Sequence, residues 1–245
     1  MMHWLPPNGA LRGFALDHLL GLNLSIMFWL FVAAQLLLVI ALLPRGRART
    51  GQPNQAPAGG SSFLLRSVPL LAFIGLYTWM LVSSHHLWAS RRESPVRLGL
   101  QVEVTGVQFQ WYFRYSGRDG IFGGTKPTLV SAPSGNPLGL DPADPHAGDD
   151  IVSSVLMLPA GQPVEITLRT QDVIHGFFVP GMRLKQDAIP GMVGHLQFTP
   201  ETVGDYDILC SQVCGLGHYR MQARLRVVSP QQYGAWLAGR ENATR

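Results

Sequence analysis

The chain has 245 residues; 47% are hydrophobic and only 14% are charged, against about 25% charged in an ordinary soluble domain. Its net charge of +4 comes entirely from the first 88 residues, with five Arg and one Asp, whereas from Gln101 onward 11 basic residues face 13 acidic ones. A nucleic-acid binder needs its positive charge on the folded domain, so that class is excluded, and two cysteines exclude a disulfide-dense scaffold.

After an N-terminal segment, residues 1–18, the run Leu19–Leu43 is 25 residues long and carries no formal charge. A bilayer requires about 20 apolar residues at about 1.5 Å each, so this run predicts a first transmembrane helix, 19–43. A cleaved signal peptide has a core of about 7–15 apolar residues followed by a small-residue cleavage site. This run is longer and leads into Leu43-Pro44-Arg45, which predicts a retained helix. A loop, 44–66, follows. Ser67–Trp88 is a second uncharged run with Pro69 near its start and His85, His86 and Trp88 at its end, where amphipathic rings favour the interface. It predicts a second span, 67–88. Arg45, Arg47, Arg49 and Arg66 mark the loop as cytoplasmic, but Arg12, Arg91, Arg92 and Arg97 flank the opposite side, so charge alone does not set the orientation.

Beyond Trp88 the pattern becomes β-rich. Gln101–Tyr115, Ile151–Leu158, Val164–Arg169, Val173–Val179, His195–Thr199, Tyr206–Cys210 and Met221–Val228 read as strands separated by turn signals, which predicts a sandwich or barrel over 89–245. Residues 116–150 form a long Gly/Pro/Asp-rich insertion. Ser229-Pro230 opens a short C-terminal helix, QQYGAWLAG.

One cluster carries chemistry. Residues 210–221 read CSQVCGLGHYRM, placing Cys210 and Cys214 four apart, His218 four further on and Met221 three after that. Thiolate, imidazole and thioether are soft ligands suited to copper. A disulfide between the cysteines would leave His218 and Met221 unexplained. Structural zinc has no use for Met, and the CxxCH signature of covalent haem is absent from the sequence. Eight histidines are present, and periodicity alone reads His175, within DVIHGFFVP, as a core residue.

The cluster, the stretch DVIHGFFVPGMRLKQDAIPG at 172–191 and the aromatic QWYFRY at 110–115 resemble subunit II of cytochrome c oxidase and its binuclear copper (CuA) centre. The resemblance covers nearly the whole chain and is weakest over 116–150. It implies a two-helix transmembrane hairpin followed by an all-β cupredoxin domain, a Greek-key sandwich or barrel. It also implies that Cys210 and Cys214 bridge two copper ions, that His175 and His218 are terminal ligands, that Met221 is a weak axial ligand, and that Gln212 supplies a backbone carbonyl. Trp111 falls at the aromatic through which electrons arrive from cytochrome c. The implied partners are subunits I and III, membrane lipid and a soluble or tethered cytochrome c, with no nucleic acid. The implied setting is the bacterial inner membrane with the domain on the periplasmic face. The oxygen chemistry and haems of this oxidoreductase and proton-pumping translocase would belong to subunit I.

The sequence departs from the family twice. Gln212 stands where a Glu commonly also binds magnesium, and an amide is a poorer ligand for that hard ion, which puts a magnesium site in doubt. Residues 44–71 hold no acid that could serve a proton channel. Other readings fit less well. Quinol oxidase subunits of this fold lack the copper ligands, a blue-copper carrier needs one Cys rather than two, and nitrous oxide reductase needs a propeller domain for which this chain has no room. Asp119, Asp141, Asp144, Asp149, Asp150, Asp172, Asp205 and Asp207 are candidates for steering a basic electron donor.

Overall fold

The computed structural model describes residues 5–43, 61–89 and 99–243. Most of the expected cytoplasmic loop (44–60), together with His3, Arg91, Arg92 and Arg97, lies outside the described residues.

Two long helices come first, α1 (Gly13–Leu42) and α2 (Ser61–Ala89). Both are longer than the uncharged runs. α1 takes in Asp17 and His18, and α2 begins six residues before Ser67, because Leu64, Leu65 and Arg66 are good helix formers and a charge near a helix end does not stop it. Pro69 is therefore the ninth residue of α2 rather than part of its first turn. At 30 residues and about 1.5 Å per residue, α1 is about 45 Å long, enough to cross a hydrocarbon core of about 30 Å with tilt. Apolar side chains face outward all along it: Trp29 and Leu37 are each 67% exposed. Water would not tolerate that surface, and lipid would.

The second unit contains residues 1–14 and 95–245. Its ten strands are β1 (Leu100–Val107), β2 (Gln110–Tyr115), β3 (Ile151–Ser153), β4 (Val155–Pro159), β5 (Val164–Thr170), β6 (His175–Val179), β7 (Leu184–Ala188), β8 (Gly194–Phe198), β9 (Gly204–Cys210) and β10 (Gln222–Val228), followed by α3 (Pro230–Ala243). One sheet has the order β3-β2-β1-β5-β8 and the other β4-β10-β9-β6-β7. β1 runs parallel to β5 and β4 parallel to β10; the remaining pairs are antiparallel. The inward faces meet in one core. Val102, Val104, Trp111, Phe113 and Ile166 from the first sheet share it with Leu156, Leu158, Phe177, Ile208 and Leu225 from the second.

Three departures from the sequence reading bear on the site. Gln101–Tyr115 is a hairpin rather than one strand, with Gln108 and Phe109 at its tip. Ile151–Leu158 is split between the two sheets, with Ser153 Oγ accepting from Val155 N at 3.1 Å where the chain crosses. β7, LKQDA, has no apolar alternation to give it away; its place is fixed by pairing with β6, Ala188 opposite His175 and Asp187 opposite Gly176. The insertion is ordered against the first sheet. Arg114, almost fully buried, donates to Asp150, Glu103 and the Gly123 carbonyl, and Asp149 accepts from the N–H groups of Arg118 and Asp119. A charge that far from water needs such partners to offset its desolvation.

The N-terminal segment belongs to this unit. Gly9 N donates to Gly181 O, Leu11 N to Thr199 O and Glu201 N to Gly9 O, and Ala10 is 3% exposed. The chain thus leaves the β unit to enter α1 and returns to it after α2.

Candidate metal centre

The expected ligands meet at one end of the sandwich. β6 opens with His175, β9 closes with Cys210, and the loop between β9 and β10 carries Gln212, Cys214, His218 and Met221. The loop is pinched at its base, where Cys210 N donates to Met221 O at 3.1 Å, and is tied to β6, where Ser211 N donates to Gly176 O at 2.9 Å. Within it, His218 N donates to Gly215 O and Met221 N to His218 O, so a short helical turn aims His218 back toward the cysteines.

The atoms able to bind a metal form a chain of short separations. Cys210 Sγ is 3.9 Å from Cys214 Sγ, 3.9 Å from His175 Nδ1 and 3.1 Å from the Gln212 carbonyl oxygen. Cys214 Sγ is 3.8 Å from His218 Nδ1 and 3.7 Å from Met221 Sδ. A disulfide would need about 2.05 Å between sulfurs, so both thiols are free. Around one ion with bonds of about 2.0–2.3 Å, neighbouring tetrahedral ligands lie about 3.3–3.8 Å apart. These spacings fit metal chelation. Six donor groups thus gather about the two sulfurs, with a His175 nitrogen within 4.8 Å of both, a set that two ions sharing the thiolates could use.

At His175 the geometry favours one hydrogen-bonding arrangement. Its Nε2 lies 2.8 Å from Asp172 Oδ1, so Nε2–H donates to the carboxylate and Nδ1 is left with its lone pair toward Cys210. Burial alone would raise the Asp172 carboxyl, but the hydrogen bonds from Gln108, His175 and Val173 outweigh it and hold the group below the ordinary carboxylate range. Burial also pushes the Cys214 thiol up to about 11, and the adjacent Cys210 adds to the rise. Metal capture here must therefore displace protons.

The inner side of the cluster is dry: His175 is 0% exposed, Met221 2% and Cys214 5%. The outer side is not. Cys210 and His218 are half-buried, and Val213, Leu216 and Tyr219 stand almost fully exposed around them. Gln212 turns its side chain away from the sulfurs, its Nε2 donating to Asp187 Oδ2 at 2.9 Å, while its carbonyl faces Cys210.

Trp111 is not at the surface, as its expected role requires. It is 0% exposed, with its ring edge-on to His175 at 5.8 Å and to Phe177 at 5.3 Å. β2 alternates Gln110 out and Trp111 in, and the inward position lies beneath His175. The aromatic that does reach solvent is Phe109, 38% exposed at the hairpin tip. Its ring lies on the ligand loop so closely that a Cβ at Gly217 would overlap it. Sequence reasoning missed Phe109 because it treated 101–115 as one strand; the shift of the apolar positions from even (Val102, Val104) to odd (Val107, Phe109, Trp111) across Gly106 was the available sign of a break. It also missed Gln108 and Asp187, and assigned Asp172 to steering although Asp172 sits three residues before His175.

The family description "Cytochrome C oxidase subunit II, periplasmic domain" matches residues 100–228, just over half of the chain. The chain belongs to the cytochrome c oxidase subunit II family. A Bradyrhizobium diazoefficiens relative, the alternative cytochrome c oxidase subunit 2, is 43% identical over 139 residues, 56% of this chain and 50% of that one. A probable cytochrome c oxidase subunit 2 of Streptomyces avermitilis is 30% identical over 191 residues, 68% of this chain and 58% of its own. The chain spans about half the length of these curated relatives. Among solved structures, the periplasmic domain of subunit II of cytochrome oxidase (CoxB) of Bradyrhizobium japonicum superposes with a TM-score of 0.44 at 24% identity, covering 60% of this chain and 96% of that one. Family membership accounts for the mostly-β domain after two apolar helices.

Proposed function

We propose that this subunit II is the electron-accepting subunit of a membrane cytochrome c oxidase: it takes single electrons from cytochrome c at a binuclear copper centre and passes them to the haems of subunit I, where oxygen is reduced to water with proton pumping. The observation that carries the reading is the convergence of His175, Cys210, Cys214, His218, Met221 and the Gln212 carbonyl at one end of the domain, each within 4 Å of a bridging sulfur.

When bound, two copper ions sharing two thiolates supply a site that stores one electron delocalised over both. The residues do the rest. Cys210 ends a strand and Met221 leads into one, and Trp111, itself packed on Phe177, backs His175, so the proposed ligands have little freedom to move when charge changes. Small movement means little reorganisation, which favours fast transfer at low driving force. Burial of Cys214, His175 and Met221 keeps water from the inner side of the cluster. We place the approach of cytochrome c at the exposed rim of Phe109, Val213, Leu216 and Tyr219, with Phe109 rather than Trp111 in the surface position.

The helices α1 and α2 are proposed to cross the bacterial inner membrane. Because residues 5–13 pack with the β unit, the N-terminus and the domain would share the periplasmic side, and residues 44–60 would lie on the cytoplasmic side. Subunits I and III and lipid are the proposed partners of this part of the chain. A magnesium ligand at residue 212 is not part of the proposal, since its amide is donated to Asp187.

Copper analysis and spin-resonance spectroscopy of the purified full chain test the reading. Two coppers per chain with a mixed-valence signal, reduced rapidly by cytochrome c, are expected. One copper with an ordinary single-ion signal would refute it.

A further inference from the structure

The hairpin tip between β1 and β2 contributes no metal ligand, yet it bonds to both segments that carry ligands. Gln108 N donates to Asp172 Oδ2 at 2.7 Å, and Gln108 Nε2 donates to the Cys214 carbonyl at 2.5 Å. Asp172 in turn accepts from His175 Nε2 with its other oxygen, at 2.8 Å. One exposed side chain and one carboxylate thus link Cys214 in the loop to His175 at the start of β6 without passing through the metal. The link is stiffened from below. Asp172 Oδ1 also accepts from Val173 N at 2.7 Å and from Thr170 Oγ1 at 3.2 Å, Gln171 N donates to Gly106 O at 3.2 Å, and the absence of a side chain at Gly106 lets β1 pass against the His175 ring.

We propose that Gln108 and Asp172 are positioning residues of the metal centre, forming a strap that fixes the distance between its two halves. The proposal rests on the copper reading above. Asp172 holds His175 in the tautomer that presents Nδ1 and strengthens that nitrogen as a ligand. Gln108 holds the peptide plane that follows Cys214 Cα, and so limits where Sγ can go. Each half alone leaves the other free to shift, and the strap makes the spacing one quantity instead of two. The core alone does not do this: among the described residues Gln108 is the residue that ties the Cys214 carbonyl to the Asp172 segment, and Gly215, at φ 141°, has the backbone freedom of a glycine.

The test uses the full chain, purified in detergent and loaded with copper, with Gln108→Ala, Gln108→Glu, Asp172→Ala and the double Ala variant. Gln108→Glu is isosteric but offers no N–H to the Cys214 carbonyl, and because residue 108 is exposed it leaves the fold intact, as thermal unfolding will register. Loss of an outer hydrogen-bond partner of a metal-bound His typically weakens metal binding about 10- to 100-fold, which is the loss expected for Asp172→Ala. The Gln108 variants are expected to lose roughly 2- to 10-fold, the range of one net hydrogen bond. All should keep two coppers at saturation while the hyperfine pattern and absorption bands move. The double variant should lose less than the product of the single losses, because either substitution opens the same strap. Spectra and affinities matching the parent in Gln108→Glu and Asp172→Ala, or strictly multiplicative losses, would overturn the strap while leaving the copper reading in place. Failure of the parent chain itself to take up two coppers would overturn the copper reading instead.

Discussion

Replacing Trp111 by Ala tests where this residue acts. A surface aromatic used only to receive electrons could be removed with little effect on folding. The structure places Trp111 at 0% exposure between His175 and Phe177, with Nε1 buried and unpartnered. Truncating a buried Trp typically costs about 3–5 kcal/mol. For a domain near 150 residues, each kcal/mol lowers the melting temperature by about 2–4 °C, so Trp111→Ala is expected to lower it by roughly 6–20 °C. Trp111→Phe should cost less, because it keeps most of the edge contact and removes an N–H whose burial without a partner costs about 1–3 kcal/mol. Phe109→Ala, at a position 38% exposed, should move the midpoint by no more than a few degrees. Thermal unfolding of the full chain, followed by circular dichroism with and without copper, gives all three shifts in one experiment. The copper spectrum of Trp111→Ala should also change, since the void opens directly under a ligand. A melting temperature for Trp111→Ala within about 1 °C of the parent would refute the buried placement.

The remaining outcomes follow from the same geometry. Cys210→Ser and Cys214→Ser should each abolish the mixed-valence signal, because on the copper reading both ions would share both sulfurs, which lie 3.9 Å apart; survival of that signal in either variant would remove the two-thiolate arrangement. Met221→Leu should keep both coppers and shift the reduction potential, a thioether being a tuning ligand more than a holding one; loss of most of the copper would contradict this. His146 and Asp119 form an exposed pair at 2.6 Å that raises the His pKa and lowers the Asp pKa. The Asp119 contribution is present above its unfolded value of 3.8 and lost only below it, while that of His146 is complete below 6.5 and lost as pH rises through its raised value. Hydrogen exchange at Ile121 N, which Asp119 accepts, should therefore lose protection above neutral pH once intrinsic rates are removed, and His146→Ala should flatten the profile; equal protection from pH 6 to 9 in the parent would refute it. Oxygen uptake driven by soluble cytochrome c should change little as salt passes about 0.1 M, where charges more than about 10 Å apart are screened. A steep fall would return recognition to charge steering.

The parts of this protein that were legible from sequence are those written in local pattern. Two uncharged runs marked the helices, and CSQVCGLGHYRM put four candidate ligand side chains within twelve residues, so the candidate site was readable before any fold was known. His175 was not readable from periodicity, since its burial among apolar neighbours looks the same whether or not it meets a metal; the resemblance of DVIH supplied it. What failed is non-local. β7 exists because β6 offers it an edge, and its Lys, Gln and Asp conceal it. The inward or outward choice at Trp111 is a matter of strand phase, and reading 101–115 as one strand lost the hairpin tip that sets that phase. The same error hid Phe109 and Gln108, one lying on the ligand loop and the other bonding to it.

The acids that sequence offered for steering an electron donor are largely committed within the molecule. Asp119 pairs with His146, Asp141 with Lys126, Asp205 with Arg226 and Asp207 with Arg224. Asp144 and Asp149 accept from backbone N–H groups of the insertion, and Asp150 is buried against Arg114. Asp172 and Asp187, the two carboxylates nearest the ligands, hold His175 and Gln212. A carboxylate paired with a cation projects little field beyond the pair, and the domain from Gln101 onward carries a net charge of only −2. What remains at the end of the domain that carries the cysteines is mostly apolar, Phe109, Val213, Leu216 and Tyr219 around the half-buried His218, with the exposed Arg220 beside them. A surface of that kind recognises a partner by excluding water over a short contact, which gives close approach to the metal without strong long-range attraction. On the proposed reading, it would suit an electron donor already held nearby at high local concentration better than one captured from dilute solution.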